Sequence, residues 1–166
     1  MKVLGLDSSG LVAGVALIQD DVLIAEYTTD YKKTHSQTLL PMLDEISNMT
    51  ELDLSTIDAI AVAGGPGSFT GLRIGSATAK GLGLALEKPL ISIPTTAAIA
   101  YNIWDTNKFV CPIMDARRNQ VYTGVYCYTD HRLDTVWEQD TMSIEALAEG
   151  LNCLDHEVIF LSLIHL

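Results

Sequence analysis

Basic residues are scarce in this sequence of 166 residues. Ten lysines and arginines stand against 21 acidic residues, which leaves a formal net charge of −11 at pH 7. Because affinity for phosphate backbones comes mostly from Lys and Arg, this balance argues against a protein that binds nucleic acid unaided. Apolar residues still make up 48% of the chain, and this content predicts a folded globular protein and excludes a disordered tail.

Cysteine and long hydrophobic runs are also scarce. The three cysteines are far apart and form no CxxC pair, which predicts reduced thiols in a cytoplasmic protein. The N-terminus reaches Asp7 after few apolar residues, so we expect no signal peptide. The longest weakly charged run, 74–86, contains Lys80 and is shorter than the ~20 residues of a membrane span. We therefore expect no membrane contact.

The sequence also lacks histidine or cysteine pairs spaced as metal ligands and the motif that surrounds a catalytic serine. The four histidines include no pair at ligand spacing, and no Cys–His cluster offers a full ligand set, so we expect no intrinsic metal site. Ser8 or Ser9 combined with His35 would supply two members of a hydrolytic triad. No Gly-x-Ser-x-Gly elbow frames these serines, which argues against that chemistry.

Short apolar runs broken by turn residues predict an α/β fold in two parts. Runs at 3–7, 12–18 and 22–27 indicate three strands of an antiparallel meander. The pattern restarts near residue 105, which predicts a unit at 1–104 and a second unit at 105–166, cut short after its last strand. Further strands are predicted at 57–63, 90–93, 109–114, 120–128 and 157–163, and helices at 70–86, 95–104 and 143–151.

An amphipathic helix is predicted after the meander. Its apolar side chains fall at positions i, i+3, i+4 and i+7, and they are Leu39, Met42, Leu43 and Ile46. Pro41 would break a helix interior, so we place Thr38 near the N-cap and Pro41 in the first turn.

The central glycine-rich loop, 64–73, lies between a predicted strand and a predicted helix. Backbone N–H groups at such a helix start can hold an anion. The nucleotide motifs fail, however, because Leu72 stands where a Walker A loop needs Lys and Thr70 stands where a dinucleotide fingerprint needs Gly. A tight turn and an anion site stay as alternatives; the candidate anion or nucleotide contacts are Asp7, Ser8, Gly67, Ser68 and Arg73.

Small residues recur at every fourth position of the helix predicted at 70–86. They are Gly71, Gly75, Ala79 and Gly83. Glycine inside a helix costs roughly 1 kcal/mol relative to Ala, and the close approach of another backbone would compensate for this cost. That backbone belongs either to the protein's own sheet or to a partner chain, and the residues alone support both equally.

Three motifs resemble those of the TsaB family. They are the segments 33–37 (KTHSQ), 65–75 (GPGSFTGLRIG) and 115–118 (DARR), and the similarity runs from residue 1 to about 161. The resemblance implies the two-lobed fold of the actin-like and Hsp70-like ATPases (ASKHA, ribonuclease H-like), here with a truncated second lobe. It also implies a role in forming the threonylcarbamoyl group on adenosine 37 (t6A37) of tRNAs that read codons beginning with A.

The resemblance further implies a non-catalytic subunit. Family members act with a catalytic TsaD-like paralogue and a TsaE-like ATPase, and the catalytic paralogues carry a His-x-x-x-His metal motif after the fifth strand. Thr95 and Ile99 occupy those positions here, and neither side chain can replace an imidazole. The implied protein has no intrinsic cofactor, with ATP and metal on partner subunits and tRNA bound only indirectly.

The family pairs through two helices of its N-terminal lobe, which implies a partner interface on this chain. Self-pairing through the same helices stays open, and a glycoprotease-like peptidase or an ATPase is the alternative function. The implied interface residues are Leu39, Met42, Leu43, Ile46, Leu72, Ile74, Gly75, Ala79 and Gly83.

Overall fold

The computed structural model describes residues 1–30 and 37–162 and divides the chain into two compact units, Met1–Ile93 and Pro94–Leu166. Positions 33–36 of the first family motif, among them His35, lie outside the described ranges. The sequence pattern places the boundary near residue 105 instead. The structural division comes earlier because the helix that follows Ile93 packs on the strands of the second unit.

The first unit contains a five-stranded mixed sheet in the order β3-β2-β1-β4-β5. The predicted antiparallel meander of β1, β2 and β3 is confirmed, and β4 pairs with β1 in parallel. The strands are β1 (Lys2–Asp7), β2 (Ala13–Gln19), β3 (Val22–Thr29), β4 (Ala59–Gly65) and β5 (Leu90–Pro94).

Two helices contribute to the core of this unit, α1 (Leu39–Thr50) and α2 (Phe69–Leu86). The start of α1 is confirmed, since Thr38 is the N-cap and Pro41 lies in the first turn. The buried side chains of both helices join those of the central strands in one cluster, which includes Leu4, Leu6, Val15, Leu17, Leu39, Met42, Leu43, Ile46, Ile57, Ile60 and Ala79.

Both helices end on a glutamate in the left-handed conformation. Glu51 follows α1 with φ 50°, and Glu87 follows α2 with φ 55°. After α2, the backbone N–H of Lys88 donates to the carbonyl of Gly83 at 2.9 Å, which closes the helix end. Glycine is the residue that ordinarily occupies such a cap, because a side chain in this region costs roughly 1–2 kcal/mol.

The second unit contains a four-stranded sheet in the order β8-β7-β6-β9 and two helices. One core cluster includes Cys111, Val125 and Leu147. Another includes Val110 and Tyr126. The elements are α3 (Thr95–Ala100), β6 (Phe109–Arg117), β7 (Gln120–Thr129), β8 (Arg132–Ser143), α4 (Ile144–Asn152) and β9 (Val158–Ser162).

The sequence pattern misses β8 and makes α3 too long. β8 is an edge strand of twelve residues that carries Arg132, Asp134, Glu138 and Asp140, so its charges obscure the apolar alternation. α3 ends at Ala100, where the pattern predicts helix as far as Trp104, because the chain turns there and Asn102 N donates to the carbonyl of Ile99.

All three cysteines lie within the described ranges and are free thiols. Cys111 is buried, Cys127 is half-buried and Cys153 is exposed. Within the described residues, no helix combines the length and the apolar character that crossing a bilayer requires.

Candidate functional site

The glycine-rich loop before α2 folds back onto the turn that follows β1. The backbone N–H of Ser68 donates to the carbonyl of Ser9 at 2.6 Å, and the Ser8 hydroxyl donates to the carbonyl of Gly71 at 2.9 Å. The Ser68 side chain accepts from the N–H of Gly71 and so caps α2. These hydrogen bonds join the two candidate anion-binding segments to each other.

The closed loop leaves little to offer a phosphate. A Cβ at Gly67 would overlap the carbonyl oxygen of Ser9, and the carboxylate of Asp7 accepts from the backbone N–H of Ser9 at 2.7 Å. The buried Ser9 hydroxyl has no hydrogen-bond partner among the described residues. The hydrogen bonds of the loop favour the tight strand-to-helix turn; anion or nucleotide contact through Asp7, Ser8, Gly67, Ser68 and Arg73 stays a prediction.

The row of small residues on α2 faces the protein's own sheet. A Cβ at Gly75 would overlap the Ser8 hydroxyl and lie 3.7 Å from Val62 Cγ2, and one at Gly83 would lie 2.7 Å from Leu90 Cδ2. The place of this row at a partner interface stays a prediction. The close approach that compensates for the glycines comes from this chain, so the row, made of Gly71, Gly75, Ala79 and Gly83, is buried within it.

The predicted interface residues of α1 are buried too. Leu39, Met42, Leu43 and Ile46 lie in the core of the first unit, each no more than 4% exposed. On α2, Ile74 packs against the same core, and Leu72 is half-buried with its Cδ1 3.2 Å from a Cβ position at Gly65. The fold of this chain buries the apolar stripe, and an interface through these residues stays a prediction.

A different set of residues on these helices points outward. On α2, the guanidinium of Arg73 lies 3.8 Å from the centre of the Phe69 ring, and both residues are exposed. A Cβ at Gly81 would meet no described atom within 4 Å outside its own helix, and Leu84 is 84% exposed. We call four exposed residues that share one side of α2 the outer helix surface; they are Phe69, Ala77, Gly81 and Leu84.

A signal for this surface was present in the sequence. Ala77, Gly81 and Ala85 form a second row of small residues at every fourth position, offset by two from the buried row. On α1, Met49 continues the apolar stripe at i+3 from Ile46, and Leu40 lies on another side of the helix. The signal is therefore carried by α2, where the exposed row keeps the period of the buried row and is offset from it.

The start of α3 carries hydroxyl groups where the resemblance places metal-binding histidines. Thr95 and Ile99 are both buried. The Thr96 hydroxyl donates to Gln139 Oε1 at 2.9 Å and lies 2.7 Å from the Tyr126 hydroxyl, so Tyr126 is the donor in that pair. Burial raises the pKa of Tyr126 above its ordinary value, and the hydrogen bond with Thr96 partly opposes this shift.

The described acidic, thiol and imidazole groups do not converge on one point. Among residues 1–30 and 37–162, no group of three or more His, Cys, Asp and Glu side chains is placed to hold a metal ion. The Thr95 hydroxyl, although buried, has no partner in the described part of the chain. The chemistry offered by this region is that of a hydrogen-bonded hydroxyl network.

Comparison with known sequences gives consistent matches. Residues 23–156 match the family described as TsaD: tRNA N6-adenosine threonylcarbamoyltransferase. The chain is 37% identical over 161 residues to the tRNA threonylcarbamoyladenosine biosynthesis protein TsaB of Bacillus subtilis (strain 168), covering 97% of this chain and 70% of that protein. It is 36% identical to the protein of the same name from Escherichia coli (strain K12), covering 76% of this chain and 55% of that protein. The chain thus spans between about half and seven tenths of these relatives.

Comparison with solved structures agrees with the sheet topology. YeaZ from Pseudomonas aeruginosa matches with a TM-score of 0.78 at 30% identity, covering 87% of this chain and 68% of that one. The activator of the 2-hydroxyisocaproyl-CoA dehydratase from Clostridium difficile, solved with bound ADPNP, matches with a TM-score of 0.51 at 14% identity, covering 92% of this chain and 53% of that one. The second match bears on the fold alone, and the predicted α/β fold of the actin-like and Hsp70-like class is confirmed.

Proposed function

Because the chain belongs to the family of TsaB, the tRNA threonylcarbamoyladenosine biosynthesis protein, we propose that it takes part in forming t6A37 on tRNA. In this proposal it is the non-catalytic partner, which docks on a TsaD-like paralogue and activates it together with a TsaE-like ATPase. The names of its relatives support the pathway. These relatives extend beyond the part that this chain matches, so the steps of docking and activation are proposals.

The outer helix surface is the observation that carries the docking proposal. Leu84 is 84% exposed and Phe69 is 68% exposed, and no described atom outside the helix lies within 4 Å of a Cβ position at Gly81. Small residues let two helices approach closely, and large apolar side chains beside them supply buried area when they do. A helix pair of the paralogue would cover this surface, and a second copy of this chain is the competing occupant.

The chemistry is proposed to lie on the partner subunits. Two features support this proposal: Thr95 and Ile99 carry no imidazole, and the glycine loop is closed against Ser9 by a backbone hydrogen bond. With a net charge of −11, the chain is expected to meet tRNA only through its partners. Its three free thiols support a reducing compartment, so we place the function in the cytoplasm.

Two measurements test the pathway and the surface separately. Mass analysis of tRNA nucleosides from cells lacking this protein is expected to show loss of t6A, and persistence of the nucleoside would remove the pathway assignment. Gel filtration with the TsaD-like paralogue then tests docking, which Gly81→Trp and Leu84→Glu are expected to abolish.

A matched control variant lies in the other unit. Ile144 is an exposed aliphatic residue, 59% accessible, at the first position of α4, and Ile144→Glu is expected to leave co-elution unchanged. If t6A is lost from the deletion strain while Leu84→Glu still co-elutes with the paralogue, the pathway stands and the outer helix surface is not the interface.

A further inference from the structure

Two aromatic side chains are exposed together on the second unit. Trp104 is 60% exposed and Tyr101 is 52% exposed. Tyr101 caps the C-terminus of α3, Trp104 follows in the next turn, and their ring centroids lie 6.0 Å apart with an interplanar angle of 29°. Exposed aromatic side chains are enriched at binding surfaces. We call this pair of rings the aromatic platform.

The ring of Tyr128 supports the platform. Its centroid lies 5.4 Å from that of Trp104 and 6.2 Å from that of Tyr101, at interplanar angles of 65° and 87°. Tyr128 belongs to β7 and is half-buried, so the sheet holds it in place. Edge-to-face contacts between aromatic rings are favourable. The two platform rings are therefore held in position in the absence of a ligand.

Two carboxylates accompany the platform. Asp105 follows it directly in sequence, and its Oδ2 lies 2.6 Å from Nδ1 of His131, an imidazole that is charged only when protonated. Burial, Tyr101 and the charge of Asp105 together raise the pKa of Tyr128, so this carboxylate lies close to the rings. Asp130 precedes His131 in the same turn, is exposed and has no ion-pair partner among the described residues.

The neighbouring basic side chains do not cancel these charges. Arg132 lies in register with Thr129, one residue beyond Tyr128, so its side chain points to the opposite side of the sheet. Lys108 lies with its Nζ 2.8 Å from the carboxylate of Glu157, which balances its charge. The side of the sheet that carries the platform therefore has an excess of negative charge.

The shape and charge of this site favour a planar cation. The faces of aromatic rings attract cations, and rings as close to parallel as these form a flat surface rather than a cage around an ammonium group. The guanidinium group of arginine is planar, stacks on aromatic faces and donates N–H groups to carboxylates. A nucleobase would also stack on the platform, but its phosphate would be repelled by Asp105 and Asp130.

We propose that the aromatic platform, together with Asp105 and Asp130, is a docking site for an arginine side chain of another protein. The guanidinium group stacks on the platform and donates hydrogen bonds to the two carboxylates. This site lies in the second unit, shares no residue with the outer helix surface and does not depend on the proposed function.

A short peptide of Gly-Ser-Arg repeats is the probe, titrated into the isotope-labelled full chain and followed by heteronuclear NMR. The indole N–H resonance of Trp104 is expected to shift, and that of the half-buried Trp137 is the internal control and should stay in place. Citrulline in place of arginine keeps the planar group and removes its charge, whereas lysine keeps the charge and removes the plane. Both substituted peptides are expected to bind more weakly.

Variants of exposed residues test the site without disturbing the core. Tyr101→Leu and Asp130→Asn are each expected to weaken binding of the arginine peptide about two- to fivefold, the range for an exposed cation–π contact or ion pair. Asp134→Asn is the matched control. Asp134 is exposed and pairs in register with Cys127, so it points to the opposite side of the sheet from Tyr128, and its loss should leave binding unchanged.

An unchanged Trp104 resonance would overturn the proposal, and so would three other results. The first is equal binding of the citrulline or the lysine peptide. The second is a shift of Trp104 by adenosine monophosphate at a lower concentration than by the arginine peptide, which would assign the platform to a nucleobase. The third is a concentration-dependent dimer, seen in sedimentation and lost in Arg118→Gln, which would assign the arginine to a second copy of this chain.

Discussion

Gly75 of α2 lies directly against Ser8 at the end of β1. A Cβ at Gly75 would overlap the Ser8 hydroxyl, whose hydrogen bond to the carbonyl of Gly71 ties β1 to the same helix. Gly81 occupies the outward side of α2, where a Cβ would meet no described atom within 4 Å outside the helix. One helix therefore carries two glycines whose replacement has opposite consequences.

Alanine at these two positions is predicted to change stability in opposite directions. Gly75→Ala should lower the free energy of unfolding by about 1–3 kcal/mol, because the added methyl group forces Ser8 and the helix apart. Gly81→Ala should raise it by about 0.5–1 kcal/mol, since alanine is the better helix former in open space. Urea denaturation of both variants measures this difference, and equal shifts of the same sign would contradict the assignment of the two faces.

The left-handed cap of α2 predicts a stabilising substitution. Glu87 adopts φ 55°, and Glu87→Gly should raise the free energy of unfolding by about 0.5–1 kcal/mol because glycine reaches this conformation without strain. Glu87→Ala keeps the strain and serves as the control in the same thermal melts. A gain of equal size with alanine would show that the charge, and not the backbone, limits this position.

Two adjacent threonines in α3 are predicted to respond differently to valine. Thr96→Val should cost about 1–3 kcal/mol, because it leaves the Tyr126 hydroxyl and Gln139 Oε1 without their buried partner. Thr95→Val should be neutral or stabilising, since the Thr95 hydroxyl is buried and has no partner among the described residues. Denaturant titrations of the two near-isosteric variants measure both changes in the free energy of unfolding. A large loss for Thr95→Val would reveal a bound water or another partner at that hydroxyl.

Burial of one thiol predicts alkaline destabilisation. Burial raises the pKa of the Cys111 thiol, and its hydrogen bond with Thr123 offsets this shift only in part. The unfolded chain ionises this thiol first, so stability that is present below the ordinary thiol pKa of about 8.5 is lost as the pH rises above it.

Cysteine variants isolate this contribution. Between pH 8 and pH 10 the stability of Cys111→Ala should fall less steeply than that of the parent, whatever its starting value. The exposed Cys153 provides the control, and Cys153→Ala should keep the parental slope. If the stability of all three proteins falls equally steeply with pH, ionisation of the buried thiol is not the cause of the alkaline destabilisation.

Much of the fold could be predicted because the spacing of apolar residues indicates which positions of a helix or strand are buried. The meander, α1 with Pro41 in its first turn, and the helix after the glycine loop all follow from periodicity. β8 could not be found this way, since an edge strand exposes both its charges and much of its length. Its place in the sheet is set by pairing with β7, which is a tertiary relationship.

The face used by each helix could not be derived from residue type alone. α2 carries two rows of small residues with the same period, and packing on β1 and β4 decides that the row containing Gly75 turns inward. On α1, the apolar stripe from which the helix is predicted is buried in the core of the first unit. Resemblance to a family pointed to the helices, and the packing decided which of their residues are exposed.

The position of β3 at the edge of the five-stranded sheet also bears on aggregation of the chain during its synthesis. Residues 22–29 leave the ribosome before α1 and well before β4, so neighbouring nascent chains on one messenger present this strand to each other. Its sequence combines high β-propensity with a single charge, which is the profile of segments that seed inclusion bodies. We therefore expect the yield of native chain in an expressing cell to depend on how soon this strand pairs with β2.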